Sequence, residues 1–550
     1  MKRFPTLFAC LSIFVLPFQG NAADSMVRKE KLQIVFLFGQ SNMVGLADPM
    51  TAWYLTQPAW VPPCEVAMGK PEALDWKTLY WQGVQNFVGP QELKDQLQAL
   101  SDERARSRNM WRGRINDKKS AWQEEQWGPR PDNKRDSIYA FLDAKAIEEG
   151  IYTRMAAVLD NPLNEFPQAT AYQQILERDQ KNAGHIERVR EIYLKGTKGE
   201  DFAAFEAAIK EAKIPKKPKG DIEAIRAKYA ALAKQHVNLP IAERTHIAGY
   251  GAITGSVGEG IQTATQGPLS IGYGGGLTNI GPEYGIGITL ERLVDAPILL
   301  VKCAWGNTTL REAWRPGSLD GVETPTEKAV REAWNHEESQ RAQAAGRAPQ
   351  LKSPPKKTGG PGWSWTMALP HIRMVLADPG KYHPGYDPKL GYDLAGMVWF
   401  QGYSDSKNEA YGEQLVEMIQ WFRNVMEAPE LPVVCGSMGV GAYDHMVFEG
   451  PVNQGMLHAA NSPELKGRVD VVNTGRYYPL ELDLIYHAFN GLDRNSPEYL
   501  ELKRIQNGAI SNKAFHYHGS AKFFLLAGDA MARSLAGLMA GERPSIHDWK

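Results

Sequence analysis

The chain has 550 residues, with 62 Lys and Arg set against 63 Asp and Glu for a formal net charge of -1. That length exceeds what one hydrophobic core usually serves, so two domains, or one domain with a large insertion, are expected. The balanced charge gives no ground for binding nucleic acid or an acidic membrane surface.

Lys2 and Arg3 precede the apolar run from Leu7 to Leu16, and small and polar residues follow from Gln19 to Asp24. A charged start, a short apolar stretch and a small-residue cleavage site predict a secretory signal peptide over residues 1–23, cut after Ala22 or Ala23. The expected location is therefore periplasmic or extracellular. The run is too short to cross a bilayer comfortably and no later stretch is long enough, so no membrane span is expected. Cys10 leaves with the signal. Cys64, Cys303 and Cys435 cannot all pair in one chain, and Cys303 and Cys435 close apolar runs, where a free thiol behaves as a small hydrophobe. No Cys/His spacing suits zinc, and no metal or organic cofactor is expected.

The stretch Ile34-Val35-Phe36-Leu37-Phe38 reads as a strand buried on both faces, and it runs directly into Gly39-Gln40-Ser41-Asn42-Met43. Two readings of that junction stand at this point. Ser41 presents a hydroxyl at the carboxyl end of a parallel sheet, where open α/β folds place their chemistry. Alternatively, Ser41 or Asn42 is an ordinary helix N-cap.

From about Met50 to Trp127 the chain is rich in Trp, Pro and Gln and predicts loops with short helices. From about Asp136 to Arg244, Ala, Glu, Lys, Arg and Gln dominate; Ile222, Ile225, Tyr229 and Leu232 recur at helical spacing. Ile214-Pro215-Lys216-Lys217-Pro218-Lys219-Gly220 separates two helices, and its basic cluster reads as a solvated linker. Residues 49–269 are thus expected to form a mostly helical insertion, with no internal repeat.

The α/β pattern is expected to resume near Gly272. Gly274-Gly275-Gly276 lacks a preceding strand and a Gly-Lys-Ser/Thr ending, which excludes a nucleotide-phosphate loop. A short helix from Gly281-Pro282-Glu283 to Leu293 comes next, then a buried strand from Ala296 to Ala304 that ends at Trp305-Gly306-Asn307. Residues from about Pro316 to Gly362, charged and rich in Pro and Gly, predict a surface loop or a second insertion. A helix near Trp365–Leu376 leads to the strand Leu394–Phe400, which delivers Gln401-Gly402-Tyr403-Ser404-Asp405. A helix near Ala410–Met426, a strand Pro432–Gly436, and a last helix opened by Phe515-His516-Tyr517-His518 complete the chain. Strands alternating with helices, each strand ending in polar residues, predict a doubly wound, mostly parallel sheet.

Ser41, Gly306, Gln401 and His516 would meet on one face of such a sheet. A serine nucleophile, an imidazole base and donors for a tetrahedral oxyanion fit acyl transfer. Met43 stands where the second glycine of the α/β-hydrolase elbow would be, so the geometry differs from that fold. Gly39-Gln40-Ser41-Asn42-Met43, Gly281-Pro282-Glu283, Ala304-Trp305-Gly306, Trp399-Phe400-Gln401-Gly402 and the His516 segment, taken in order, resemble the blocks of the SGNH-hydrolase superfamily. More narrowly they resemble the sialate O-acetylesterase-like carbohydrate esterases. The resemblance covers about residues 30–48 and 270–540, a discontinuous esterase domain, and leaves the insertion unexplained.

The resemblance implies a three-layer α/β/α sandwich. It also implies deacetylation of an acetylated carbohydrate through an acyl-enzyme on Ser41, with His516 as base. Gly306, Gln401 and the Ser41 N–H would form the oxyanion hole. Departures accompany it. Lys513 occupies the position three before His516 where relatives often carry an acid, Tyr403 stands where Glu is common, and Asn307 where a second glycine is common. The supporting acid is then Asp405 or Glu283, or there is only a Ser–His dyad. Asn307 would add a donor or narrow the pocket. His518 is either an alternative base or a neighbour that hydrogen-bonds. Glu283 also suits a helix first turn with no catalytic role. Two other functions fit the same residues: a catalytically weakened carbohydrate-binding protein, and an esterase for a non-sugar acyl group.

Overall fold

The computed structural model describes residues 27–57, 87, 89–117, 121–132, 135–159, 161–163, 168–215, 221–252, 263–316, 325–344, 346–349, 351, 362–441, 450–465, 467–488, 493–542 and 544. The predicted signal peptide, Cys64 and most of the basic linker fall outside them. Strands are β1 (Val27–Arg28), β2 (Leu32–Gly39), β3 (Thr245–Ala252), β4 (Thr263–Pro268), β5 (Val294–Asp295), β6 (Ile298–Trp305), β7 (Tyr392–Phe400), β8 (Val433–Gly436) and β9 (Val469–Val472). The main sheet is seven-stranded, in the order β4-β3-β6-β2-β7-β8-β9, and β1 pairs with β5 in a small separate ribbon. Every pairing in the main sheet is parallel except β3 with β4.

β2 is the central strand, buried along its whole length, and its side chains alternate between two cores. Val35 and Leu37 enter one, shared with the helices Pro282–Leu293 and Ala521–Met539. Ile34, Phe36 and Phe38 enter the other, shared with the helices Trp363–Ala377, Tyr411–Val425 and Pro451–Asn461. Helices therefore cover both faces, as a parallel sheet requires, and the fold is a three-layer α/β/α sandwich. A Cβ on Gly39 would stand 2.1 Å from the carbonyl oxygen of Phe400, so only glycine lets β2 turn out of the sheet there.

The described residues between β2 and β3 are mostly helical, with Gln91–Asn116, Arg135–Glu148, Gln168–Tyr193, Asp201–Glu211 and Ile222–Val237 as the longer helices. Three features differ from the sequence pattern. Gln91–Asn116 is one long helix where short pieces were expected. Pro325–Ala344 is helical inside the stretch read as a surface loop or a second insertion. β3 and β4 put residues 245–252 and 263–268 in the main sheet, so the sheet re-forms before Gly272. Glycines at 249 and 251 dilute the β pattern of β3, while close packing requires one of them: a Cβ on Gly251 would meet the Ala304 carbonyl oxygen at 2.1 Å. Cys303 and Cys435 are free and buried, and burial pushes both thiols well above their ordinary range. Among the described residues no helix is long and apolar enough to cross a membrane.

Candidate active site

Gly39 is in register with Ala304 on β6 and with Phe400 on β7. Ser41, Gly306 and Gly402 thus each lie two residues past the same level of three neighbouring strands. Ser41 opens the one-turn helix Ser41–Val44 and is buried, and Gln40 precedes it in extended conformation with no side-chain cap bond. Neither Ser41 nor Asn42 is the N-cap. As the first helical residue, Ser41 carries one of the donors that a helix leaves without an internal acceptor. Gly306 is also buried, and Asn307 beyond it is exposed with φ of 56°.

The residues flanking Ser41 tether the other loops. The Gln40 side-chain oxygen accepts from Gly402 N–H at 3.2 Å, Ser404 N–H at 3.3 Å and Gln401 Nε2 at 3.2 Å. On the other side, Asn42 Nδ2 donates to the Phe515 carbonyl at 3.4 Å, which brings the residue before His516 against the residue after Ser41. The Asp48 N–H donates to Ser511 Oγ at 3.0 Å and Thr51 Oγ1 to the Gly519 carbonyl at 3.1 Å, closing the same seam further along.

The loop Ala514–Gly519 owes its shape to an uncommon backbone. Tyr517, His518 and Gly519 have φ of 52°, 58° and 58°, a left-handed run that costs non-glycine residues energy and persists only where surroundings enforce it. Tyr517 supplies that enforcement. It is fully buried, stacks on Phe523 with centroids 3.6 Å apart, and its hydroxyl accepts from the Gly439 N–H at 3.1 Å. His516 Nδ1 lies 3.0 Å from Asn512 Oδ1. The Lys513 N–H also donates to that atom, at 2.8 Å, which identifies it as the amide oxygen. Nδ1 therefore carries the proton and Nε2 is the acceptor. Burial, with no carboxylate on the ring to oppose it, pushes the His516 pKa down to about 4.

The expected acids have other partners. Asp405 is buried on the turn Tyr403–Asp405; its Oδ2 accepts from the Leu310 N–H at 2.6 Å and Gln401 Nε2 at 2.8 Å, and its Oδ1 from Asn408 Nδ2 at 3.2 Å. Burial raises its pKa against those hydrogen bonds. Asp405 thus fastens the β6 and β7 loops, and the group on His516 Nδ1 is Asn512. Glu283 is fully buried and faces Lys302: Lys302 Nζ donates to Glu283 Oε2 at 2.8 Å, to the Tyr273 carbonyl at 3.0 Å and to the Val44 carbonyl at 2.9 Å. Val44 ends the turn that Ser41 begins, so Lys302, paired with Glu283, holds the end of that turn. Burial pushes Glu283 up and Lys302 down, against their mutual attraction.

Gln401 also acts inward. Its two Nε2 hydrogens are shared among Thr308 O at 2.9 Å, Asp405 Oδ2 and Gln40 Oε1, while its Oε1 accepts from the Tyr411 hydroxyl at 3.0 Å. The side chain that resemblance gave to the oxyanion hole is here a strap across three strand ends. Asn307 Oδ1 accepts from Ser404 Oγ at 3.2 Å. His518 is buried, with Nε2 2.8 Å from Asp483 Oδ1 and 3.2 Å from the Tyr478 hydroxyl, so it props the loop. Among the described residues no group of three or more His, Cys, Asp or Glu could hold a metal ion.

Asn512 and Lys302 were not singled out from the sequence. A lysine in the apolar run Ile298–Trp305 is a visible signal, since a buried ammonium needs partners. Asn512, a polar residue four before the histidine in an ordinary loop, gives none.

Residues 386–474, which span β7 to β9 and include Gln401 and Asp405, match the family described as carbohydrate esterase, sialic acid-specific acetylesterase. Over those residues the chain is similar to that family. Among curated proteins none matches it. It is similar to solved structures of a protein from Arabidopsis thaliana (17% identity, 47% of this chain and 79% of that one, TM-score 0.23) and of a carbohydrate acetylesterase from Xanthomonas citri (12%, 41% and 42%, 0.23). It is also similar to NanS (14%, 42% and 69%, 0.24).

Proposed function

We propose that this sialate O-acetylesterase-like chain is an exported serine esterase that removes O-acetyl groups from carbohydrate. The observation that supports the proposal is the hydrogen bond from Asn42 to the Phe515 carbonyl, which joins the residue after Ser41 to the residue before His516, whose tautomer Asn512 fixes. In the reaction the Ser41 hydroxyl attacks the acetyl carbonyl and His516 Nε2 takes its proton, then returns it to the departing sugar oxygen. Asn512 holds the ring, as an asparagine does in Cys-His-Asn proteases. The backbone N–H groups of Ser41 and Gly306, each two residues past the same level of adjacent strands, take the oxyanion. Water then hydrolyses the acetyl-enzyme with His516 again as base, releasing acetate. Export rests on the predicted signal peptide.

Hydrolysis of 4-nitrophenyl acetate and of an acetylated sugar is expected to disappear in Ser41→Ala. Full activity in that variant would overturn the assignment. The amide behind His516 favours a second reading, a carbohydrate-binding protein with weakened catalysis, since no carboxylate stabilises an imidazolium there. Sugar binding without turnover, equal in the unmodified protein and Ser41→Ala, would select it. A panel of acyl chain lengths separates both from an esterase for non-sugar acyl groups, for which acetyl would not be preferred.

A further inference from the structure

Among the described residues the large aromatic side chains are mostly buried or partly buried, and Trp305, Trp314, Trp365 and Trp399 are each under 2% exposed. Tyr403 and Phe515 depart from that pattern, at 45% and 40% exposed. They come from loops 112 positions apart in the chain, yet their rings meet with centroids 5.8 Å apart and planes inclined by 32°. Phe515 also touches the His516 ring, 4.4 Å between centroids.

Both loops are tied to the nucleophile turn. Gln40 accepts the N–H groups on either side of Tyr403, those of Gly402 and Ser404, and Asn42 donates to the backbone of Phe515 itself. The pair is therefore anchored through the residue before Ser41 and the residue after it. Solvent-facing aromatic rings held this firmly next to a reactive group are surface that a ligand covers.

We propose that Tyr403 and Phe515 form a stacking platform for one pyranose ring, the sugar whose acetyl group reaches Ser41. This rests on the esterase reading above. A pyranose offers a face of C–H groups that lies on an aromatic ring, and a perimeter of hydroxyls that needs polar partners. The same rim supplies those partners: exposed Asn307 and half-buried Ser404, hydrogen-bonded to each other at 3.2 Å. Apolar faces bordered by a few polar groups are the usual make-up of a small-molecule site. An acyl chain or lipid would call for a continuous apolar channel instead of two rings edged by an amide and a hydroxyl. Tyr403, the residue that replaces the Glu common in relatives, is thereby a determinant of specificity, and Trp305 and Trp399 are packing residues.

The test compares kcat/KM for acetylated N-acetylneuraminic acid and for glucose pentaacetate with kcat/KM for ethyl acetate, which has no ring to stack. Tyr403→Ala is expected to lower the sugar-to-ethyl-acetate ratio about tenfold, chiefly through KM, and Tyr403→Phe to restore it. An unchanged ratio in Tyr403→Ala overturns the platform. Calorimetric titration of the same two sugars into Ser41→Ala, and into Ser41→Ala with Tyr403→Ala, reads binding without turnover. Binding lost with the second substitution supports the platform even if the protein hydrolyses nothing, a result that would overturn the esterase reading alone. Binding equal in the two, or absent from both, overturns the platform.

Discussion

Replacing Asn512 by Asp tests the proposed base most directly. The amide oxygen lies 3.0 Å from Nδ1 of His516, and a carboxylate in its place accepts the same two hydrogen bonds while bringing a full negative charge. A pair of unit charges about 4 Å apart near a protein surface is worth up to about 4 kcal/mol before the new carboxylate's own desolvation is subtracted. At about 1.4 kcal/mol per pH unit that corresponds to a rise of about 1 to 3 units in the imidazole pKa. His516 works as a base only when neutral, so activity falls as pH drops through its pKa. The acidic limb of kcat/KM, which reports the free enzyme, is expected near pH 4 in the unmodified protein. In Asn512→Asp it is expected between about pH 5 and 7. Rates of 4-nitrophenyl acetate hydrolysis from pH 3.5 to 8 give both limbs, with melting temperatures alongside to establish folding. Asn512→Ala keeps the low limb but loses the ring's orienting acceptor, and kcat is expected to fall at least about tenfold. A limb that stays put in a folded Asn512→Asp protein would refute the assignment of His516 as base or of Asn512 as its partner.

Three further outcomes are expected. Lys302→Met leaves the Glu283 carboxylate buried without its ammonium and frees the Val44 carbonyl, which should cost about 3–5 kcal/mol; denaturant titration checks this, and adding Glu283→Gln should recover part of it. Asp405→Asn removes an acceptor that fixes the β6 and β7 loops, so stability should fall by about 1–3 kcal/mol while the acidic limb of the pH profile stays where it is, whereas a moved limb would make Asp405 the acid behind His516. Acid should weaken the fold between the ordinary histidine pKa of 6.5 and about 4, because burial holds both His246 and His516 down to about 4. The unfolded chain binds more protons in that window, so stability declines as pH falls through it; melting temperatures from pH 7 to 4 read this, and His246→Gln should flatten the decline.

What the sequence makes legible is whatever one segment encodes alone. The apolar run of β2 and its abrupt Gly39, the helical spacing of Ile222–Val237, and the polar stations at the ends of β6 and β7 all carry local periodicity or a local break. β3 and β4 escape that reading because glycines required for close packing erase the alternation of β3, and the antiparallel edge strand β4 is short and polar. β9 is only four residues long. At the site, residue types bring forward Ser41, Gly306, Gln401 and His516 as candidates, but the direction in which a side chain points is a tertiary property. Gln401 looks like an outward donor until Thr308, Asp405 and Gln40 converge on its amide. Asp405 looks like a triad acid until Leu310 and Asn408 occupy it. Asn512 matters only because the turn closed by the His516 N–H on the Lys513 carbonyl, at 2.9 Å, brings the imidazole back to its amide.

The insertion grips the very helix that follows the His516 loop. Asp529, fully buried midway along Ala521–Met539, accepts from Arg188 at 3.2 Å and Arg533 at 3.0 Å and lies 2.8 Å from His185; His185 and Arg188 belong to the insertion helix Gln168–Tyr193. From the same helix Asn182 holds the Arg476 carbonyl at 2.7 Å and Tyr193 the Gly285 carbonyl at 2.9 Å. A cover that merely hung over the site could be trimmed away. This one is a buttress: excising it would take Arg188 and His185 from a core carboxylate, leaving it Arg533, and loosen the helix that follows the His516 loop.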